Sequence, residues 1–264
     1  MKRFLADINK YREYAVYSAK SGLKAEVADS HLSWMWWILD PLLFMLVYSF
    51  VAIIVFGKGE KYFAAFVFIG LTSWRFFSAT IKQSVRLVSR NSSTVSRIYM
   101  PKYILIIIQM LINCFKMLIS FSLVAGTMVI YRVPLSFRML YAIPCILVLL
   151  VVTFGFSSIV LHFGVYVDDL TNIIDVFLRL VFYLTGIFYS IEARVGGALG
   201  AGYATLLLRG NPAALVIDSM RKCLLYDMTP DLPALGLWLL AGCILSAFGV
   251  RMIYKNENSY VKIM

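Results

Sequence analysis

From Met139 to Val167 the chain carries no Asp, Glu, Lys or Arg. An α-helix rises about 1.5 Å per residue, so roughly 20 residues cross the hydrocarbon of a bilayer, and this block alone is long enough. The same character recurs along the sequence. Of 264 residues, 61% are hydrophobic and 15% charged, against roughly 25% charged in soluble domains, and the mean hydropathy is +0.81. A domain of this size has too little interior to hide so much apolar surface. These numbers exclude an ordinary soluble enzyme and point to an all-α integral membrane protein.

Hydropathy divides the chain into six predicted transmembrane helices, at about 34–56, 62–81, 103–131, 139–165, 173–191 and 232–250, within a transmembrane domain spanning 34–264. Residues 1–33 form a separate polar leader in which Phe4, Ile8, Tyr11, Ala15 and Ser18 recur at helical spacing with charges on the other faces. This predicts an amphipathic N-terminal helix lying at the cytoplasmic membrane interface; an ordinary solvent-facing helix has the same pattern. Trp34, Trp36 and Trp37 crowd the start of the first span, as interfacial aromatics do. Lys82–Lys102 reads as a polar loop, Glu192–Asp231 as an outer, Gly-rich segment of short helices, and Arg251–Met264 as a polar tail. No signal peptide is recognised.

Six crossings put both termini on one side. With the leader inside, inner segments hold fourteen Lys and Arg and outer segments eight, so the positive-inside rule favours cytoplasmic termini. The net charge of +11 is then directed at lipid headgroups and other anions rather than nucleic acid, for which no basic soluble domain exists. Cys114, Cys145, Cys223 and Cys243 lack a CxxC spacing, and His31 and His162 lie far apart, so no metal site is read.

No phosphate-binding loop is present. Gly57-Lys58-Gly59 lacks the spacing, and the glycines from Gly196 to Gly202 have no following Lys-Ser/Thr. The latter read as flexible or close-packed backbone. Three features remain. The Lys82–Lys102 loop has five basic and no acidic residues; it is either the positive-inside signal alone or a short helix that docks on a soluble partner. Arg75, Lys116 and Arg179 lie inside spans, where a cation costs roughly 2.5–3.5 kcal/mol at the bilayer centre, so pairing, snorkelling or anion passage is required. Lys116 is placed near mid-membrane, and Asp175 is spaced to pair with Arg179. Aromatics make up 15%; Phe44 and Tyr48 in the first span and Tyr183, Phe188 and Tyr189 in the fifth either pack helices and face lipid or offer faces on which sugars stack.

In order and spacing these pieces resemble the membrane subunit of ABC-2 type polysaccharide exporters, the group moving O-antigen, capsule and teichoic acid chains. The resemblance covers nearly the whole chain. It runs from Leu32-Ser33-Trp34-Met35-Trp36-Trp37-Ile38-Leu39-Asp40-Pro41-Leu42-Leu43, through Val95-Ser96-Arg97-Ile98-Tyr99-Met100-Pro101-Lys102 and Asp169-Leu170-Thr171-Asn172-Ile173, to Tyr183-Leu184-Thr185-Gly186-Ile187-Phe188-Tyr189. Asn211-Pro212, Arg221 and Tyr254-Lys255-Asn256-Glu257 close it. The chain departs from the pattern at Ser33, Asp168 and Gly186, where glycine, arginine and proline are usual.

The resemblance implies a homodimer in a bacterial cytoplasmic membrane, bound by two copies of a separate ABC ATPase that carries the ATP and Mg; the chain itself would need no cofactor and catalyse nothing. Ser93, Thr94, Val95, Ser96, Arg97, Ile98 and Tyr99 would form the coupling helix. Phe44, Tyr48, Tyr183, Phe188 and Tyr189 would line the polymer path. Lys24, Arg86 and Arg90 would attract the pyrophosphate of a lipid-linked glycan at the inner mouth. A drug or lipid exporter of the same architecture, or an ATP-independent channel or scaffold in glycan synthesis, is the alternative.

Overall fold

The computed structural model describes residues 2–28, 33–51, 54, 60–97 and 99–263. The described residues are helical, with no strand among them. Twelve α-helices follow in order: α1 Lys2–Ala28, α2 Ser33–Phe50, α3 Phe63–Val85, α4 Leu87–Arg90, α5 Ser92–Arg97, α6 Tyr103–Ile130, α7 Ala142–Tyr166, α8 Leu170–Leu184, α9 Ile191–Leu199, α10 Ala201–Gly210, α11 Pro212–Leu225 and α12 Leu232–Ile263.

Four helical segments are long and apolar enough to cross a membrane: Phe63–Val85, Tyr103–Ile130, Phe137–Tyr166 and Leu232–Glu257. The first three alternate in direction, the fourth runs parallel to the third, with Ser158 beside Gly249 and His162 bonded to Tyr260, and their contacts define two ends. At the end shared by the termini, Tyr103 meets Asp7 and Tyr254, His162 meets Tyr260, and Arg86 meets the Asp168–Thr171 turn. At the distal end Tyr62 packs on Tyr131, Tyr226 donates to the Lys61 carbonyl, and Arg138 pairs with Asp227. Two of the expected spans are shorter. The apolar part of α2 is Trp34–Phe50, and most of 51–59 lies outside the described residues; α8 has 15 residues.

α3 is the hub, buried on nearly every face from Phe63 to Val85. In hydrocarbon, helices gain from close contact more than from escape from solvent, so small residues set the tightest crossings. A Cβ on Gly249 of α12 would lie 2.5 Å from the Ser158 Cβ of α7. One on Gly164 of α7 would collide with the Val85 carbonyl at the end of α3. Two glycines thus let α7 touch α12 along one flank and α3 on the other.

Several boundaries differ from the hydropathy reading. The polar tail is no tail: α12 continues to Ile263, because Ile253, Glu257 and Tyr260 point back into the bundle and are buried there. The Lys82–Lys102 segment is helical over most of its length as the end of α3 followed by α4 and α5. A 3-10 turn at Phe137–Tyr141, capped by the Ser136 hydroxyl, precedes α7. α8 stops at Leu184, seven residues before the expected end of its span, since Gly186 turns the backbone to φ +66°. The Asp175–Arg179 pair does not form. Packing of α8 on α3 turns Asp175 to Lys82, at 2.9 Å, and leaves Arg179 exposed.

The leader helix α1 leans along the first half of α6. Phe4 packs on Tyr103 with centroids 5.1 Å apart, a Cβ on Gly22 would lie 2.9 Å from Ile112, and Glu26 pairs with Lys116 at 2.6 Å. Its buried and half-buried positions include Phe4, Ile8, Tyr11, Ala15 and Ser18, the stripe read from spacing.

Candidate functional site

The aromatic residues singled out in the sequence fall on α2, at the end of α8 and on the turn after it, and the fold joins them. Phe44 stacks on Tyr48 at 6.3 Å, and Tyr48 on Phe188 at 3.8 Å. Phe188 meets Phe182 at 5.5 Å, which meets Trp74 of α3 at 5.7 Å. The second group is held separately: the Tyr189 hydroxyl donates to the Tyr183 carbonyl at 2.8 Å, and Tyr183 touches Phe182. A seam of rings therefore links α2, α3 and α8. Trp74 was not picked out from sequence. Its signal, an aromatic directly before the intramembrane Arg75, gains meaning only once α8 is known to pack on α3.

Alongside the seam α2 and α8 leave apolar faces uncovered. Leu43, Phe44, Leu46, Val47 and Phe50 are exposed on α2, and Ile173, Val176, Phe177, Leu180, Tyr183 and Leu184 on α8. The α8 set follows the i, i+3, i+4, i+7 rule for one helix face, and Leu178 is its one buried residue.

Beneath the seam a polar cavity of about 320 Å³ opens between α2, α3 and α6, lined by Trp37, Asp40, Arg75, Gln83, Asn113 and Lys116 among others. Its cations are paired. Arg75 bonds to Asp40 and lies 5.5 Å over the Phe44 ring. Lys116 meets Glu26 and lies 5.9 Å over Trp37. Asn113 donates to Thr80 and to Gln83, both at 2.9 Å. α6 has 28 residues, about 42 Å, against a hydrocarbon of about 30 Å, so a good part of it must project, and the pairing with Glu26 of the leader matches the Lys116 charge.

A single buried arginine holds the turn after α8. The Arg221 guanidinium on α11 donates to the carbonyls of Phe66 at 3.0 Å, Gly186 at 2.9 Å and Ile187 at 2.7 Å, and lies 3.4 Å over the Phe66 ring. Burial pushes its pKa below the usual guanidinium value. The αL turn at Gly186 aims its carbonyls at that one side chain, which fixes Phe188 against Tyr48. Asn211 supports the same turn, capping α11 through the Ala213 and Ala214 amides and donating to Thr185.

The predicted coupling segment lies at the terminal end. In α5, Val95 is buried while Ser93, Ser96 and Arg97 are exposed; Thr94 is half-buried and Ile98 lies outside the described residues. Two elements, α1 and α12, hold the far side of this segment. Arg3 donates to the Tyr99 hydroxyl at 3.2 Å, Tyr11 to the Tyr99 carbonyl at 3.0 Å, and Tyr99 to Glu257 at 3.3 Å. Lys102, almost wholly buried, faces Glu257 at 3.6 Å. The three cations of the expected inner mouth are not brought together by any bond among the described residues. Arg86 is tied to Thr171 and the Asp168 carbonyl, whereas Lys24 and Arg90 are exposed on α1 and α4.

No family model matches the chain. Among curated proteins it is similar to an O-antigen export system permease protein, RfbA, of Klebsiella pneumoniae, 22% identical over 243 residues that cover 92% of this chain and 91% of that protein. It is 23% identical over 258 residues to the protein of the same name from Myxococcus xanthus, covering 98% and 97%. The chain is similar to O-antigen export permeases over nearly its whole length. The resemblance read from its motifs is thereby met along almost the full length, through the seam, the Arg221 turn and α12. The relatives are named as permeases, transport components rather than catalysts, and among the described residues no group of three His, Cys, Asp or Glu could hold a metal ion.

Proposed function

We propose that this chain is the membrane subunit of an ATP-driven exporter that carries lipid-linked polysaccharide across the bacterial cytoplasmic membrane. The observation that carries the reading is the end-to-end similarity to O-antigen export permeases. Two copies pair through the uncovered faces of α2 and α8, so that the two aromatic seams border one path. Sugar C–H faces stack on Phe44, Tyr48, Tyr183, Phe188 and Tyr189, while tyrosine hydroxyls bond sugar hydroxyls. A path lined by rings holds many sugars weakly and none tightly, which suits a polymer that must keep moving.

ATP and Mg are bound by a separate ATPase, two copies of which seat beneath the dimer. The segment from Ser93 to Tyr99 enters the ATPase groove with Ser93, Ser96 and Arg97 outward. Because Tyr99 and Lys102 are bonded to α1 and α12, a push on α5 moves the leader and the last span together. Lys24, Arg86 and Arg90 raise the positive potential at the inner mouth without forming a preassembled phosphate site. In this reading the chain crosses six times with both termini cytoplasmic. α8 completes its crossing with the segment that follows it, and α9 and α10 lie at the outer exit. Residues 1–33 act as the interfacial leader and 34–264 as the transport domain.

The test is depletion of the protein in its own host, with lipid-linked glycan measured inside and outside the cell. Accumulation of polymer in the cytoplasm with loss from the surface is the expected result. Unchanged surface glycan with raised sensitivity to small amphiphiles would replace this reading with a drug or lipid exporter.

A further inference from the structure

On the flank away from α2 and α8, a groove of about 790 Å³ runs between α1, α6, α7 and α12. That is the size of a small-molecule site. Phe4, Leu111, Cys114, Phe154 and Cys243 give it apolar walls, and Arg251 stands at one end. Its other polar groups are already used. The Ser246 hydroxyl donates to the Gly242 carbonyl at 2.7 Å, and the Tyr254 hydroxyl is bonded to Asp7 and Tyr103. Arg251 forms no hydrogen bond or ion pair among the described residues, and neither does Lys255 one turn further on. Both are exposed. Two like charges at i, i+4 repel one another, and the nearest acid on the helix, Glu257, is buried on another face against Lys102.

We propose that this groove binds one anionic phospholipid, its phosphate held between Arg251 and Lys255 and one acyl chain laid in the groove. Depth supports the assignment. Cys243 to Arg251 is eight residues of helix, about 12 Å, close to the roughly 15 Å half-thickness of the hydrocarbon. A headgroup at Arg251 therefore places the chain along the apolar wall down to the bilayer centre. The leaflet is the one on the side of the termini. The lipid bridges α12 to α6 and to Phe4 of the leader, beside the tight α7–α12 crossing. The site rests on the membrane-spanning reading alone, not on the identity of the exported molecule or on which side the termini lie.

The test uses the full chain in phosphatidylcholine vesicles containing phosphatidylglycerol with a photoactivatable group at the end of one acyl chain. Labelling is expected near Cys114 and Cys243, and a phosphatidylcholine probe of the same chain should label it far less. Each cation is expected to contribute about fivefold, so Arg251→Gln with Lys255→Gln lowers labelling about twenty-five-fold. Both residues are exposed, and unchanged size-exclusion behaviour checks that folding is kept. Ala247→Trp, which fills the groove, abolishes labelling with the cations intact. The proposal is overturned if both probes label equally or if the charge variants label like the unmodified chain. It is equally overturned if Ala247→Trp splits an oligomer, which would make the groove an interface between copies, or if a lipid-linked glycan displaces the probe while unlabelled phosphatidylglycerol does not.

Discussion

Replacing Arg221 by methionine removes one side chain from three carbonyls at once. Phe66, Gly186 and Ile187 lose their donor inside a site that is closed to solvent. Each buried acceptor left unpaired costs about 1–3 kcal/mol, and the desolvated cation–π contact at 3.4 Å adds about 2 kcal/mol. Against this stands the relief of no longer burying a charge, several kcal/mol in a protein interior. The net loss is therefore about 2–5 kcal/mol, concentrated at the turn after α8. Arg221→Lys keeps the charge but not the planar fork that reaches three carbonyls, so it retains the desolvation cost and loses most of the bonds. Lysine is expected to be no better than methionine, which a purely electrostatic role would not give. The assay is amide hydrogen exchange of the purified chain in nanodiscs, read at 185–191 and at α7 as an internal reference. Protection at 185–191 should fall about 30-fold or more, at roughly tenfold per 1.4 kcal/mol, while α7 changes little. If exchange at 185–191 is unaltered in both variants, the turn is held by Asn211 and packing, and the reasoning about Arg221 is wrong.

Gly164→Ala drives a Cβ into the Val85 carbonyl, backbone that cannot yield without moving α3, so a loss of about 1–3 kcal/mol or more should appear as lower thermal stability of the purified protein; Gly126→Ala, with open space around it, serves as the neutral control. Arg97→Glu reverses an exposed charge on α5, and is expected to lower co-purification with the ATPase and export together while leaving yield and melting unchanged; intact export would remove α5 from the coupling role. Tyr48→Ala deletes the ring stacked at 3.8 Å on Phe188, and surface glycan should appear more slowly, with Tyr48→Phe retaining most of the rate if stacking rather than the hydroxyl carries the effect. A cysteine at position 92, on the exposed start of α5, should react with a membrane-impermeant maleimide only after the cells are opened, and labelling of intact cells would reverse the topology.

Secondary structure was legible from the residues because hydropathy and helical period are local. The Met139–Val167 block and the run after Tyr103 gave α7 and α6 within a few residues, and the leader stripe gave the packed face of α1. What failed did so where a distant partner intervened. Asp175 and Arg179 have the right spacing to pair along α8, but α3 offers Lys82 at 2.9 Å. The end of the chain carries four charged residues after Val250 and reads as a tail, yet it is helix because Glu257 finds Lys102 and Tyr260 finds His162. The end of α8 had no signal in hydropathy; Gly186 marks it, and Arg221 makes the turn worth forming.

The sequence by itself determined that the chain enters a membrane, that it is helical, and where most crossings lie, since in hydrocarbon every backbone amide must be bonded within its own helix. Its motif order was also enough to point to the exporter permeases. Only the tertiary structure decided that Arg75 is matched by Asp40 and Lys116 by Glu26, that one arginine holds the turn behind the aromatic seam, and that Tyr99, just after α5, is bonded to both α1 and α12. Those are pairings between residues 34 to 158 positions apart, set by crossing angles that glycines permit and no local pattern encodes.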